Sequence, residues 1–118
     1  TFNSLGMVKI IFPNRFSVYL HDTNHRDYFE KIDRSISSGC VRVENPLELT
    51  EYLLNDEVNW SLEKITETLQ NERTKFVKIK KEVSFHLLYW TAWSENNKLI
   101  FRDDIYNLDA NLYNQLRN

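Results

Sequence analysis

Met7-Val8-Lys9-Ile10-Ile11-Phe12 and Phe16-Ser17-Val18-Tyr19-Leu20 flank Pro13-Asn14-Arg15, two apolar-rich segments around a turn that read as a β-hairpin. Alternation in the second segment sets Phe16, Val18 and Leu20 on one face, and Ser17, Tyr19 and His21 on the other. Outward from this hairpin come a polar stretch, His21 to Arg26, and a short helix around Asp27 to Ile32. A small-residue loop, Asp33 to Cys40, then leads into the brief strand Val41 to Val43. Asn45-Pro46-Leu47-Glu48 starts a helix: Asn45 can cap, Pro46 fits the first helical position and Glu48 can reach back. Leu47, Leu49, Leu53 and Leu54 stripe that helix over Pro46 to Leu54. A second helix, Ser61 to Leu69, carries Leu62, Ile65 and Leu69 at helical spacing. Phe76 to Ile79, Val83 to Trp93 and Lys98 to Arg102 read as strands, the last two joined by Glu95-Asn96-Asn97. Asp109 to Leu116 reads as a terminal helical turn. The expected fold is α+β and β-rich, a sandwich-like arrangement with two or three short helices.

At 118 residues, with 42% hydrophobic and 14% aromatic, the chain suffices for one packed domain and is too short for two. The net charge of −2 comes from interspersed acids and bases, which argues against a nucleic-acid partner. Lys78, Lys80 and Lys81 read as the wet face of a strand rather than a phosphate or membrane site. No apolar run approaches the roughly 20 residues that span a bilayer, and Thr1 to Gly6 is too polar for a secretory leader. With no initiator Met and only a short polar lead, the sequence reads as beginning inside a longer protein. Its single cysteine excludes an intrachain disulfide and any multi-cysteine zinc site, and no metal or cofactor is implied.

That cysteine lies in Arg34-Ser35-Ile36-Ser37-Ser38-Gly39-Cys40-Val41-Arg42. A lone cysteine is more often an inert buried residue than a nucleophile, so its neighbours decide. A reactive thiolate needs exposure, positive charge and backbone donors nearby. Gly39 allows close approach of a substrate to the backbone. The N–H groups of Gly39 and Cys40 can then point at a developing oxyanion, as acyl transfer requires. Arg42, two residues on, shares a face with Cys40 in extended chain and can supply positive field or grip a carboxylate. His21 ends a strand on its polar face, where an imidazole can hold a thiol as thiolate. His25, in a charged turn, and His86, in an alternating strand, read as surface or structural residues.

His21, followed nineteen positions later by Cys40 within Ser37-Ser38-Gly39-Cys40-Val41-Arg42, resembles the YkuD-type L,D-transpeptidases. The closest likeness is to the branch of large periplasmic Gram-negative enzymes. Leu5 to Lys9, Phe12 to Asn14, Val18 to Thr23, Arg42 to Glu44, Leu88 to Ala92 and Phe101 to Tyr106 carry that resemblance through nearly the whole chain. Ser38 stands where the wider family has a second histidine, so it cannot serve as an alternative base. The resemblance implies that residues 1–118 are the C-terminal part of one catalytic domain, with its first strands and lid subdomain upstream. Such a fragment is expected to be poorly soluble or less stable than a longer piece.

The resemblance further implies that Cys40 attacks a tetrapeptide donor at its third residue, normally meso-diaminopimelate, and expels the terminal D-alanine. His21 moves the proton, and backbone N–H groups of Ser38, Gly39 and Cys40 hold the oxyanion. Ser37 and Arg42 shape the donor pocket, although Arg42 can instead brace the loop through Glu44. Tyr19 is a pocket residue or a packed strand tyrosine; Asp22 or a backbone carbonyl orients His21. A second stem's amine or a lipoprotein lysine resolves the thioester. The setting is the periplasm, and carbapenems are expected to acylate the thiol. The competing readings are an L,D-carboxypeptidase, with water as acceptor, and a non-catalytic peptidoglycan-binding remnant.

Overall fold

Residues 3–117 are described by the computed structural model, in two compact units that meet in sequence between Val83 and Ser84. In the first unit, β1 (Lys9–Ile10) pairs antiparallel with β2 (Leu20–His21), with Lys9 opposite His21 and Ile10 opposite Leu20. This register centres the hairpin on Arg15, one residue beyond the middle of the expected turn. The cause is Asn14, whose amide donates to the carbonyls of Phe12 (3.0 Å) and Val18 (2.7 Å). Its side-chain oxygen accepts from Phe16 N (3.0 Å) and Val18 N (3.1 Å). Phe16 is therefore an exposed turn residue and Ser17 takes φ 55°, so the expected strand face survives only toward Leu20 and His21.

β3 (Val41–Arg42) lies parallel to β2, Leu20 against Val41 and His21 against Arg42. A parallel neighbour needs a long crossover, here the segment between His21 and Val41, which includes a 3-10 helix, Arg26–Glu30. Helix α1 (Pro46–Leu54) starts with Pro46 as expected, but Asn45 contributes its carbonyl to Leu49 N (3.2 Å) and no side-chain cap. Asn55 ends α1 in the left-handed conformation, and Asp56 caps α2 (Glu57–Trp60), a turn absent from the sequence reading. Ser61 caps α3 (Leu62–Gln70), and Glu51 of α1 accepts from Leu62 N at 2.6 Å, tying the two helices together. Leu20, Leu54 and Ile65 are the apolar residues buried between these elements.

The second unit holds β4 (Ala92–Glu95) and β5 (Lys98–Phe101), joined by Asn96 and Asn97 with φ 51° and 60°. Two consecutive left-handed residues make the type I′ turn that suits a two-residue hairpin. Helix α4 (Asp109–Arg117) follows. The chain is thus α+β, but not β-rich: among the described residues three helices run nine residues each and no strand exceeds four. Phe76 to Ile79 and residues 83–91 lie outside the strands, because alternation marks a face and does not by itself make a ladder. Among the described residues no helix is long and apolar enough to cross a membrane.

Candidate active site around Cys40 and His21

Residues in register share a face of the sheet. The β2–β3 pairing therefore puts His21 beside Arg42, and Tyr19 and Cys40 are the residues that lead into the two paired strands. Val41 N donates to Tyr19 O (3.1 Å) and Val43 N to His21 O (2.9 Å), fixing that register on both sides of the rung. His21 and Arg42 thus share one face, with Cys40 two residues before Arg42 in the chain. Tyr19 meets the His21 ring edge-on, 6.1 Å between centroids.

His21 is buried, and its Nδ1 meets the main-chain carbonyl of Asp22. A carbonyl can only accept, so Nδ1 carries the proton and Nε2 is left as the basic nitrogen. Asp22 orients the ring through its backbone. Its carboxylate is engaged elsewhere, accepting from Met7 N (2.8 Å), Thr23 N (2.7 Å) and the Arg26 guanidinium. Arg26 also donates to the Glu44 carbonyl, joining the start of the crossover to the chain leaving β3. The first half of the polar stretch is consequently interior, with Thr23 1% exposed, while Asn24, His25 and Arg26 are exposed. Gly6, at φ 63°, passes so close to Asp22 that any Cβ there would collide with the carboxylate.

Cys40 is free and half-buried. Ahead of it, the Ser35 hydroxyl and backbone N–H both donate to Asp33, holding that carboxyl below its usual range. The Ser37 hydroxyl donates to the Cys40 carbonyl (2.6 Å) and accepts from Gly39 N (3.2 Å). Ser37 therefore shapes the loop from within, and it occupies the Gly39 donor that the sequence reading assigned to an oxyanion. Gly39 has φ 140°, while a Cβ there would meet only Val18, at 3.9 Å; conformation rather than crowding calls for glycine. Ser38 is exposed in the same loop.

Arg42 lies over the Tyr28 ring, 4.9 Å from its centroid. Its Nε and Nη1 are buried and meet no hydrogen-bond partner among the described residues. No ion pair with Glu44 forms among those residues. His25 stacks on Tyr28 at 4.9 Å, and His86 is exposed in the second unit. Hollows of about 560 Å³ near Arg26 and Leu62 and about 520 Å³ near Trp60 and Lys75 include neither Cys40 nor His21.

Residues 2–79 match the family model for the L,D-transpeptidase catalytic domain, YkuD. The chain belongs to the YkuD family. Its similarity extends to a Haemophilus influenzae protein named "Putative L,D-transpeptidase", 36% identical over 110 residues. That alignment covers 93% of this chain and 22% of the relative, so the chain spans about a fifth of the relative's length. The YkuD match lies within the first unit, which holds Cys40, His21 and Arg42.

Sequence reasoning missed four residues here. Lys9 joins the face only through the hairpin register, and Tyr28 only through the crossover. Gly6 and Arg26 matter through Asp22, whose carboxylate reaches 15 residues back to Met7 and four forward to Arg26. A glycine just ahead of a strand was the one visible signal among them.

Proposed function

We propose that this chain carries out L,D-transpeptidation of peptidoglycan stem peptides in the periplasm, through a thioester on Cys40. The supporting observation is the β2–β3 register, which sets His21 against Arg42 two residues past Cys40, with Nδ1 of the histidine held by the Asp22 carbonyl and Nε2 left as the basic nitrogen. Cys40 Sγ, deprotonated by His21, attacks the carbonyl of the donor's third residue. The tetrahedral oxyanion draws on the N–H groups of Ser38 and Cys40, since that of Gly39 is held by Ser37. Collapse breaks the bond to the terminal D-alanine, whose amine leaves with the proton from His21. Deacylation reverses the roles: a stem or lipoprotein amine gives its proton to His21 and takes the acyl group. Arg42, with two buried donors to offer, fits a donor carboxylate.

Intact-mass measurement of the full-length protein with a tetrapeptide donor or a carbapenem should show an adduct on Cys40. The Cys40→Ala variant should be folded and form none. His21→Ala should acylate roughly 10²- to 10⁴-fold more slowly, the contribution of a positioned base, and His25→Ala and His86→Ala should match wild type. Transpeptidation by folded Cys40→Ala would sink the mechanism. Released free tripeptide, with no cross-linked product when an amine acceptor is supplied, would make the enzyme a carboxypeptidase.

A further inference from the structure

We propose that Lys9 binds a carboxylate of the acyl donor on the β1 side of His21, while Arg42 serves the β3 side; this rests on the transpeptidase reading. Lys9 is the register partner of His21 across the antiparallel pair, and Arg42 is its partner across the parallel one. Their side chains form one row on one face, the imidazole between two cations at strand spacings of about 4.8 Å. The Lys9 ammonium lies over the Tyr19 ring, 3.6 Å from its centroid. The Tyr19 carbonyl accepts from Val41 N, the residue after Cys40, so the ammonium lies over a residue bonded to the strand that Cys40 leads into.

Among the described residues neither cation forms an ion pair. The Arg42 guanidinium also buries Nε and Nη1 without a partner. Two cations on one face, with no protein anion between them, repel each other and contribute little to folding. An anionic ligand laid across Cys40 accounts for both. A tetrapeptide stem ending in meso-diaminopimelate and D-alanine offers two carboxylates near the scissile carbonyl, the C-terminus and the side-chain carboxylate of diaminopimelate. Each cation takes one of them.

The test compares wild type, Lys9→Met and Lys9→Arg in acylation of Cys40 by three donors: the unmodified tetrapeptide, its side-chain amide and its C-terminal amide. Methionine keeps an apolar stem over Tyr19 and removes the charge. Lys9→Met should raise KM for the unmodified donor roughly tenfold, the low end for a charge-assisted hydrogen bond at an exposed site. kcat and melting temperature should be unchanged, and Lys9→Arg should restore most of the loss. With one of the two amides the variant and wild type should become equal, and that amide identifies the carboxylate. Lys9→Met acting as wild type on the unmodified donor, or losing equally on all three, overturns the proposal alone. A wild type that none of the donors acylates overturns the transpeptidase reading and this proposal with it.

Discussion

The two units differ in what their interiors are made of. Up to Val83, burial is as much polar as apolar: His21, Asp22 and Thr23 lie inside beside Leu20, Leu54 and Ile65. From Ser84 on, none of the described residues is buried, although Leu88, Trp90, Phe101 and Tyr106 are all there. Order in that unit is local. Arg102 N donates to Thr91 O (2.7 Å) and the Tyr89 hydroxyl to Asp103 O (2.8 Å), while Tyr89 and Tyr106 meet edge-to-face at 5.1 Å. Asp104 accepts from Leu108 N (3.0 Å) and Asp109 N (2.8 Å) at the start of α4. Aromatic density therefore does not locate the interior of this chain. A satisfied carboxylate does, because a charge is tolerated inside only when donors surround it.

Substitutions should expose the contrast. Leu54→Ala, in the first unit, should cost roughly 2–5 kcal/mol through lost burial and the cavity left behind. Leu116→Ser, on an exposed face of α4, should stay within about 0.5 kcal/mol; equal losses in denaturant melts would erase the distinction between the units. Gly6→Ala comes next, at roughly 1–3 kcal/mol for a side chain forced into a left-handed position, and it should slow Cys40 acylation as well. If it lowers the melting temperature but leaves the acylation rate intact, the Asp22 cluster stabilises the fold without positioning His21. The smallest effect is confined to α4. Backbone N–H groups of Asp109 and Leu108 hold the Asp104 carboxyl below its usual value of 3.8. Its stabilisation is thus present above the unfolded value and is lost as pH falls through the lower folded one. Amide exchange at Leu108 and Asp109 should accelerate only on acidification through that range, and Asp104→Asn should blunt the change.

Much of the site was legible because it depends on short-range rules. His21 was expected at the end of a strand and Arg42 in the strand after Cys40, and the ladder sets those two in register. Helices α1 and α3 followed from Pro46 and Ser61 at their starts and leucine or isoleucine at helical spacing. What stayed hidden depends on distant partners. Asp22 reads as a neighbour able to orient His21, yet its carboxylate is taken by Met7 N and Arg26 while its carbonyl holds the ring. The hairpin slipped by a residue because one Asn14 side chain makes four hydrogen bonds, a choice that composition does not announce. Phe76 to Ile79 has the pattern of a strand and no partner in the ladder.

The parallel pairing of β2 and β3 has a consequence for how this chemistry could be altered. His21 and Arg42 are set side by side by the ladder itself, through Val41 N to Tyr19 O and Val43 N to His21 O. The intervening chain only has to leave one strand and return to the next. Beside Ile32, which is fully exposed, it crosses open surface between the Arg26 anchor and the Asp33 turn. Closing a longer flexible loop costs only about 0.6 kcal/mol per doubling. Extra residues there would change the surface beside the candidate site while leaving His21 and Arg42 in the same register.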